Sequence, residues 1–577
     1  AMVFWAILKW ENVADEKGAN RWIVLIAYLM GLSIGVHLLN LLAIPAIVFV
    51  YYFRKNEKVD TKGFILALVI SVVLVAVIMY GIILGVFKVS AQVELAFVNT
   101  LGLPYNTGVL FHLFLLVGLL VAGVYLSQWH HDKIKVTIIA SLALVLSGAP
   151  FMTDSVFLSL LFIGGIVWLV YYLAEKRRVM LNMMLMVTTM ILLGYSSYAL
   201  VVIRSYANPP IDENNPENVF ALVKYIAREQ YGDRPLGKGQ YYNAPILETK
   251  ETKPIYIPKD GKYIISNRSL EYEYDERFET IFPRMWSAQP DHQEVYKQWG
   301  RVRGRPITVG SGENRRVVRV PTFSENLRFM FTYQLGFMYW RYFMWNFAGR
   351  QNDVQATGDP LKGNWLSGIS FIDNARLGPQ EDLPDYLAHN RARNKYYLLP
   401  LLLGIAGLLF QANRKPKDFW VVLLLFVMTG IAIVIYLNQY PNQPRERDYA
   451  YAGSFYAFSI WLGLGVLALI DAVRKFIPEK PAIIGIGVLC LAVPVIMGVE
   501  NWDDHDRSGR YTARDIAYNY LNSCEPNAIL ATNGDNDTFP LWYIQDVEGV
   551  RTDVRVVNMM LFNTEWYIDQ MKRKAYE

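Results

Sequence analysis

The chain has 577 residues, 53% of them hydrophobic and only 19% charged. Runs such as 63–87, about 25 residues with no charge, exceed the ~20 apolar residues that span a hydrocarbon core, which excludes an ordinary globule. A net charge of +5 over this length marks no nucleic-acid partner, and two cysteines in unlike surroundings, Cys490 and Cys524, offer neither a disulfide nor a thiolate metal site.

The first ten residues, AMVFWAILKW, are apolar, lack a cationic leader head and are too short to span alone. With the unfinished pattern at MKRKAYE, they read as the ends of a piece cut from a longer protein. The stretch 22–53 is long for one span and short for two, and carries His37, Asn40 and Pro45. It reads either as two short helices meeting at an outer hairpin near His37 or as one tilted, kinked helix. Further spans follow at about 63–87, 108–126, 136–148, 154–173 and 179–203, the fourth continuing through GAPFM. The segment 204–395 has no run long enough to span, and its aromatic stretch 328–353 reads as an amphipathic helix at the headgroup level. Four more spans follow at about 396–412, 419–438, 452–474 and 481–498. In the tail, strand 527–534, helix 539–549 and strand 553–561 suggest a β-α-β unit.

These elements predict a mainly α fold: a polytopic helical membrane bundle in 1–203 and 396–498, an extracytoplasmic segment in 204–395, and the start of an α/β domain in 499–577. The loops at 54–62, 130–135, 175–178, 413–417 and 474–480 are short and basic, whereas 204–395, 440–449 and the tail are not. Lys and Arg accumulate in cytoplasmic loops, so the large segments are expected on the outer face of the cytoplasmic membrane.

Several polar groups could carry chemistry. Arg445, Glu446, Arg447 and Asp448 stand at the outer mouth of a span. They either neutralise one another at the membrane edge or form an anion site, arginine forks matching phosphate oxygens and the carboxylates orienting them or acting on a hydroxyl. His37 and Asn40, in otherwise apolar sequence, are structural or line a cavity. Asp154 is an N-cap or an outer-face acid, and Arg204 a snorkelling anchor or a phosphate contact. Asp535 and Asp537 form a D-x-D pair that could hold a metal, but Asx-turn and capping chemistry at a strand-to-helix junction is the preferred reading. No Walker loop or H-E-x-x-H motif is present, so ATP-driven transport and zinc hydrolysis have no support.

Four stretches, 11–46, 337–353 (FMYWRYFMWNFAGRQND), 440–453 (YPNQPRERDYAYAG) and 533–558 (NGDNDTFPLWYIQDVEGVRTDVRVVN), together resemble a bacterial polytopic family, formerly of unknown function, grouped with protein O-mannosyltransferases. The resemblance implies a GT-C fold and transfer of a sugar, mannose first, from a polyprenyl-phosphate carrier to a Ser or Thr hydroxyl of an exported protein. It implies Arg445 and Arg447 as phosphate contacts, with Arg204 and Arg341 behind them, and His37, Asn40 and Asp154 lining the site. The family's catalytic carboxylate is expected in an acidic first outer loop upstream of this sequence, leaving Asp154, Glu446 and Asp448 as the acids within it. No resident cofactor follows, and participation of a divalent metal is left open. A transporter or flippase of lipid-linked saccharides and a non-catalytic envelope scaffold are the competing classes.

Overall fold

The computed structural model describes residues 1–130, 132–153, 155–229, 232, 234–310, 315–443 and 445–573. Among them nine helices are long and apolar enough to cross a membrane: Leu38–Lys55, Thr61–Thr100, Thr107–Trp129, Lys133–Phe151, Val156–Lys176, Arg178–Tyr206, Pro416–Leu437, Ala452–Val473 and Glu479–His505. Two shorter apolar helices, Arg21–Val36 and Leu399–Arg414, accompany them. The chain is a mainly helical, multi-pass membrane protein.

The 22–53 stretch is a hairpin. His37 adopts an extended backbone (φ −162°, ψ 130°), its ring accepts from the Leu39 amide, and a 3-10 turn Leu38–Ala43 leads into helix Ile44–Lys55. Arg54, near the end of that helix, donates to the Glu11 carbonyl (3.0 Å) and pairs with Asp15. The second helix therefore ends beside the start of the first, which a single kinked helix could not do.

The short basic loops gather at one end of the bundle. Lys417 Nζ donates to the carbonyls of Asn56 (3.2 Å) and Glu57 (3.1 Å), and Lys133 pairs with Glu175 at 2.7 Å. Small residues let some helices approach closely. A methyl at Gly407 would run into the Trp461 carbonyl, and one at Gly465 into the Leu403 carbonyl, so helices Leu399–Arg414 and Ala452–Val473 meet backbone to backbone.

Helix Thr61–Thr100, capped by Asp60 accepting from the Gly63 amide (2.9 Å), runs 40 residues. At 1.5 Å per residue that is about 60 Å, twice the ~30 Å hydrocarbon core, so its last turns extend beyond the length of one span. There Glu94 is fully buried and its carboxylate accepts the amides of Asn106 (2.5 Å), Gly108 (2.9 Å) and Val109 (3.1 Å). It thereby supplies the acceptor that the N-terminus of helix Thr107–Trp129 lacks. Tyr263, from the long antiparallel hairpin Ile246–Lys259 and Lys262–Tyr274, donates its hydroxyl to the same carboxylate at 3.2 Å.

The segment 207–395 docks on the end of the bundle away from the basic loops. Arg284 and Arg234 donate to the carbonyls of Ile435 and Leu437 (both 2.7 Å), and the Trp286 indole to that of Asn438 (3.1 Å). Two cations thus cap the negative C-terminal end of helix Pro416–Leu437. Burial pulls the Arg284 guanidinium down to about 10, which leaves it charged at neutral pH.

The aromatic stretch forms consecutive helical turns, Phe323–Phe329, Met330–Trp340 and Arg341–Phe347, the middle one π-helical. Phe331 and Trp340 stay exposed, while the rings of Phe329, Tyr333, Tyr339, Phe343 and Phe347 are covered by protein. Tyr333 and Phe329 face the core of the 207–395 segment, while Phe343 packs edge-on against Phe426 and Phe458 of the membrane helices and Phe347 lies tilted against Phe458. An all-round aromatic composition suits a helix buried on several sides. The tail folds as a parallel β-α-β unit of strands Ile529–Thr532 and Arg555–Asn558 flanking helix Asp535–Asp546, over Leu521, Leu541, Ile544 and Tyr567.

Candidate functional site

A cavity of about 550 Å³ opens where the buried aromatic helix meets the 440–447 segment. Trp299, Tyr333 and Phe337 form its aromatic wall, and Arg341, Arg445, Glu446 and Arg447 its charged one. Burial pushes the Tyr333 phenol up to about 12, so it stays a neutral hydroxyl.

Arg341 is the fixed element of this wall. It is 6% exposed, stacks on Phe337 (4.2 Å) and Trp345 (4.5 Å), and donates to the carbonyls of Phe337 (2.9 Å) and Gly363 (2.6 Å). Its remaining Nη2 pairs with Glu446 Oε1 at 2.7 Å. Glu446 is thereby engaged as a counter-ion. Arg447 donates Nε to Gln443 Oε1 (3.1 Å) and its Nη groups meet no protein acceptor among the described residues. Arg445 is exposed and has no hydrogen bond or ion pair among them. Two guanidinium forks with unclaimed donors beside one neutralised pair leave a net positive wall, which suits a phosphate or carboxylate ligand.

Asp448 turns away from this cavity toward Tyr342, whose phenol is raised first by burial and then by that carboxylate. His37 lies against Tyr449, ring centroids 6.0 Å apart, so it neighbours the motif without lining the cavity. Asn40 is exposed and turns its amide back to the Ser33 carbonyl (3.4 Å). Arg204 is exposed at the end of its span and lines neither this cavity nor the one described next. Asp154 lies outside the described residues. Asp537 accepts the amides of Asn533 and Gly534 (both 2.8 Å) and so closes the N-terminus of helix Asp535–Asp546. Among the described residues no three His, Cys, Asp or Glu side chains converge as a metal site would need.

A second cavity, about 730 Å³, lies at the other side of the Arg341–Phe347 turn, where Tyr342, Trp345 and Asn346 face Asn501, Trp502, Asp504 and His505 at the end of helix Glu479–His505. Sequence reading missed it because its walls come from three segments far apart in the chain, 342–350, 394–396 and 497–506. The local signal was the W-D-D-H run 502–505 at the end of an apolar span.

Three family models match parts of the chain. Residues 1–60 match the Protein O-mannosyl-transferase TMEM260 N-terminal domain. Residues 513–577 match TMEM260-associated domain 2, and residues 232–331 a family of unknown function, DUF8416. No curated protein and no solved structure matches the chain. Two of the three descriptions name TMEM260, at opposite ends of the sequence, and the one matched by residues 1–60 names a protein O-mannosyl-transferase.

Proposed function

We propose that the protein is a membrane glycosyltransferase of GT-C type that moves a sugar, mannose in the first instance, from a polyprenyl-phosphate carrier to Ser or Thr hydroxyls of exported proteins. The large segments then face away from the cytoplasm, as the clustering of basic loops at the opposite end supports. The observation that carries the reading is the cationic wall of Arg445 and Arg447 at the edge of the bundle. A lipid-linked phosphate leaving a sugar gains negative charge, and guanidinium donors at that place stabilise the charge as it develops. Arg341, locked by stacking and by Glu446, holds the wall in place. Glu446 serves as counter-ion in this scheme, and no carboxylate of the cavity is assigned the acceptor's proton.

The test is transfer by purified full-length protein from polyprenyl-phospho-mannose to acceptor peptides, with Arg445→Ala and Arg447→Ala alongside. Each substitution is expected to lower turnover at least tenfold, the weight of ~1.4 kcal/mol of lost transition-state stabilisation. Folded protein that transfers from no polyprenyl sugar would refute the enzyme reading. Translocation of a lipid-linked saccharide without transfer would favour a flippase, and full activity of both variants would remove the phosphate role.

A further inference from the structure

We propose that the 730 Å³ cavity at the end of helix Glu479–His505 is a binding site for a neutral pyranose, separate from the arginine-lined cavity. Its volume falls within the range of small-molecule sites. Four aromatic rings line it, those of Tyr342, Trp345, Tyr396 and Trp502. The apolar C–H face of a sugar ring stacks on such surfaces, as other apolar groups do.

The polar lining is built rather than incidental. Asn394, 1% exposed, donates to Asn501 Oδ1 (2.9 Å) and Asp504 Oδ2 (3.2 Å), and Asn501 donates to the Tyr396 hydroxyl (2.6 Å). The Lys395 amide donates to Glu500 (2.8 Å), tying the same helix end to the outer segment. His505 Nδ1 lies between two acceptors, the Asn501 carbonyl (2.9 Å) and Asp504 Oδ1 (2.7 Å). That nitrogen therefore carries the proton in the neutral ring, and Nε2 is left as an acceptor. Trp345 is 7% exposed and its indole N–H has no acceptor among the described residues.

The charges select the ligand class. Arg350, which stacks on Trp345 at 4.4 Å, is opposed by Asp504 and Asp506 in the lining. No net positive wall awaits an anion here, unlike the arginine cavity. Mixed donors and acceptors around aromatic faces fit a polyhydroxylated, uncharged ring.

Full-length protein in lipid nanodiscs, without any donor lipid, is titrated with methyl gluco-, galacto- and mannopyranoside by saturation-transfer NMR, with mannose 6-phosphate as the charged comparator. At least one methyl pyranoside is expected to bind saturably. Trp502→Ala, at a side chain 80% exposed and so harmless to the fold, should weaken it tenfold or more, and Asp504→Asn should do likewise. Arg445→Ala should leave it unchanged. The proposal is overturned if no methyl pyranoside binds saturably, if Trp502→Ala binds as the parent does (an interfacial anchor only), or if the 6-phosphate binds more than tenfold tighter. Because no transfer is measured, failure here leaves the glycosyltransferase reading standing, and the reverse also holds.

Discussion

Replacing Glu446 with Gln keeps the shape of the side chain facing Arg341 and removes its charge. Two unit charges ~4 Å apart interact by about 4 kcal/mol at an effective dielectric of ~20. The amide oxygen retains an ordinary hydrogen bond worth about 1 kcal/mol. Arg341 is 6% exposed and cannot recover water, but Glu446 keeps 25% of its side chain exposed, which screens part of the attraction. The expected destabilisation is therefore about 2 kcal/mol, between the values of an exposed and a fully buried pair. A double-mutant cycle with Arg341→Met isolates the pair from the stacking and carbonyl contacts that Arg341 makes independently. Unfolding in mixed micelles titrated with a denaturing detergent, followed by far-ultraviolet circular dichroism, supplies the four stabilities. A coupling energy below about 0.5 kcal/mol would refute the assignment of Glu446 as the counter-ion that fixes the cavity wall.

Glu94→Gln turns one of two acceptor oxygens into a donor facing amides that are themselves donors. It should cost about 3 kcal/mol and detach the Tyr263 hairpin, read as faster amide exchange in 262–274; unchanged exchange would contradict the capping role. Gly407→Ala drives a methyl into the Trp461 carbonyl and should separate two helices at a cost of about 2 kcal/mol, measured in the same unfolding assay; an unchanged midpoint would contradict the close approach. His292, buried and stacked on Tyr440 at 4.5 Å, has its pKa lowered by burial, against the smaller opposing pull of Asp291. The unfolded chain then binds the proton first, so stability is full above the unfolded pKa of ~6.5 and falls as pH drops toward the folded value. His292→Gln should flatten that fall, and equal slopes in both proteins would assign the titration elsewhere.

The bundle was legible because two strong rules act on every span: apolar length sets the crossing, and basic residues mark one end. Both operate locally, so no partner had to be known. Where a feature depended on partners, the sequence was silent or open. The turn at His37 could be read as hairpin or kink until Arg54 was seen to reach Glu11 and Asp15. Helix Thr61–Thr100 outran its apolar segment because Glu94, an unpromising carboxylate after a span, meets the free amides of the next helix. The aromatic stretch 328–353 has the composition of a headgroup-level helix, and composition does not name the protein rings that several of its side chains pack against, Phe426 and Phe458 among them.

The same division explains what was readable at the two cavities. Arg445 to Asp448 are adjacent in sequence, so their clustering could be seen, but their roles could not. Arg341 stands 105 residues from Glu446, and that pairing decides which charges are spent and which remain free. Once Glu446 is committed to Arg341 and Asp448 is turned toward Tyr342, the motif stops being four mutually cancelling charges. Arg445 and Arg447 are left with donors that no protein oxygen among the described residues satisfies, and they face a cavity. Two guanidinium groups not spent on neighbouring carboxylates are what an anionic headgroup requires. The aromatic cavity beyond Trp345 has the opposite balance, its one arginine set against carboxylates. Two neighbouring sites of contrasting charge, sharing the Arg341–Phe347 turn as their common wall, are suited to hold a phosphate and an uncharged ring at the same time.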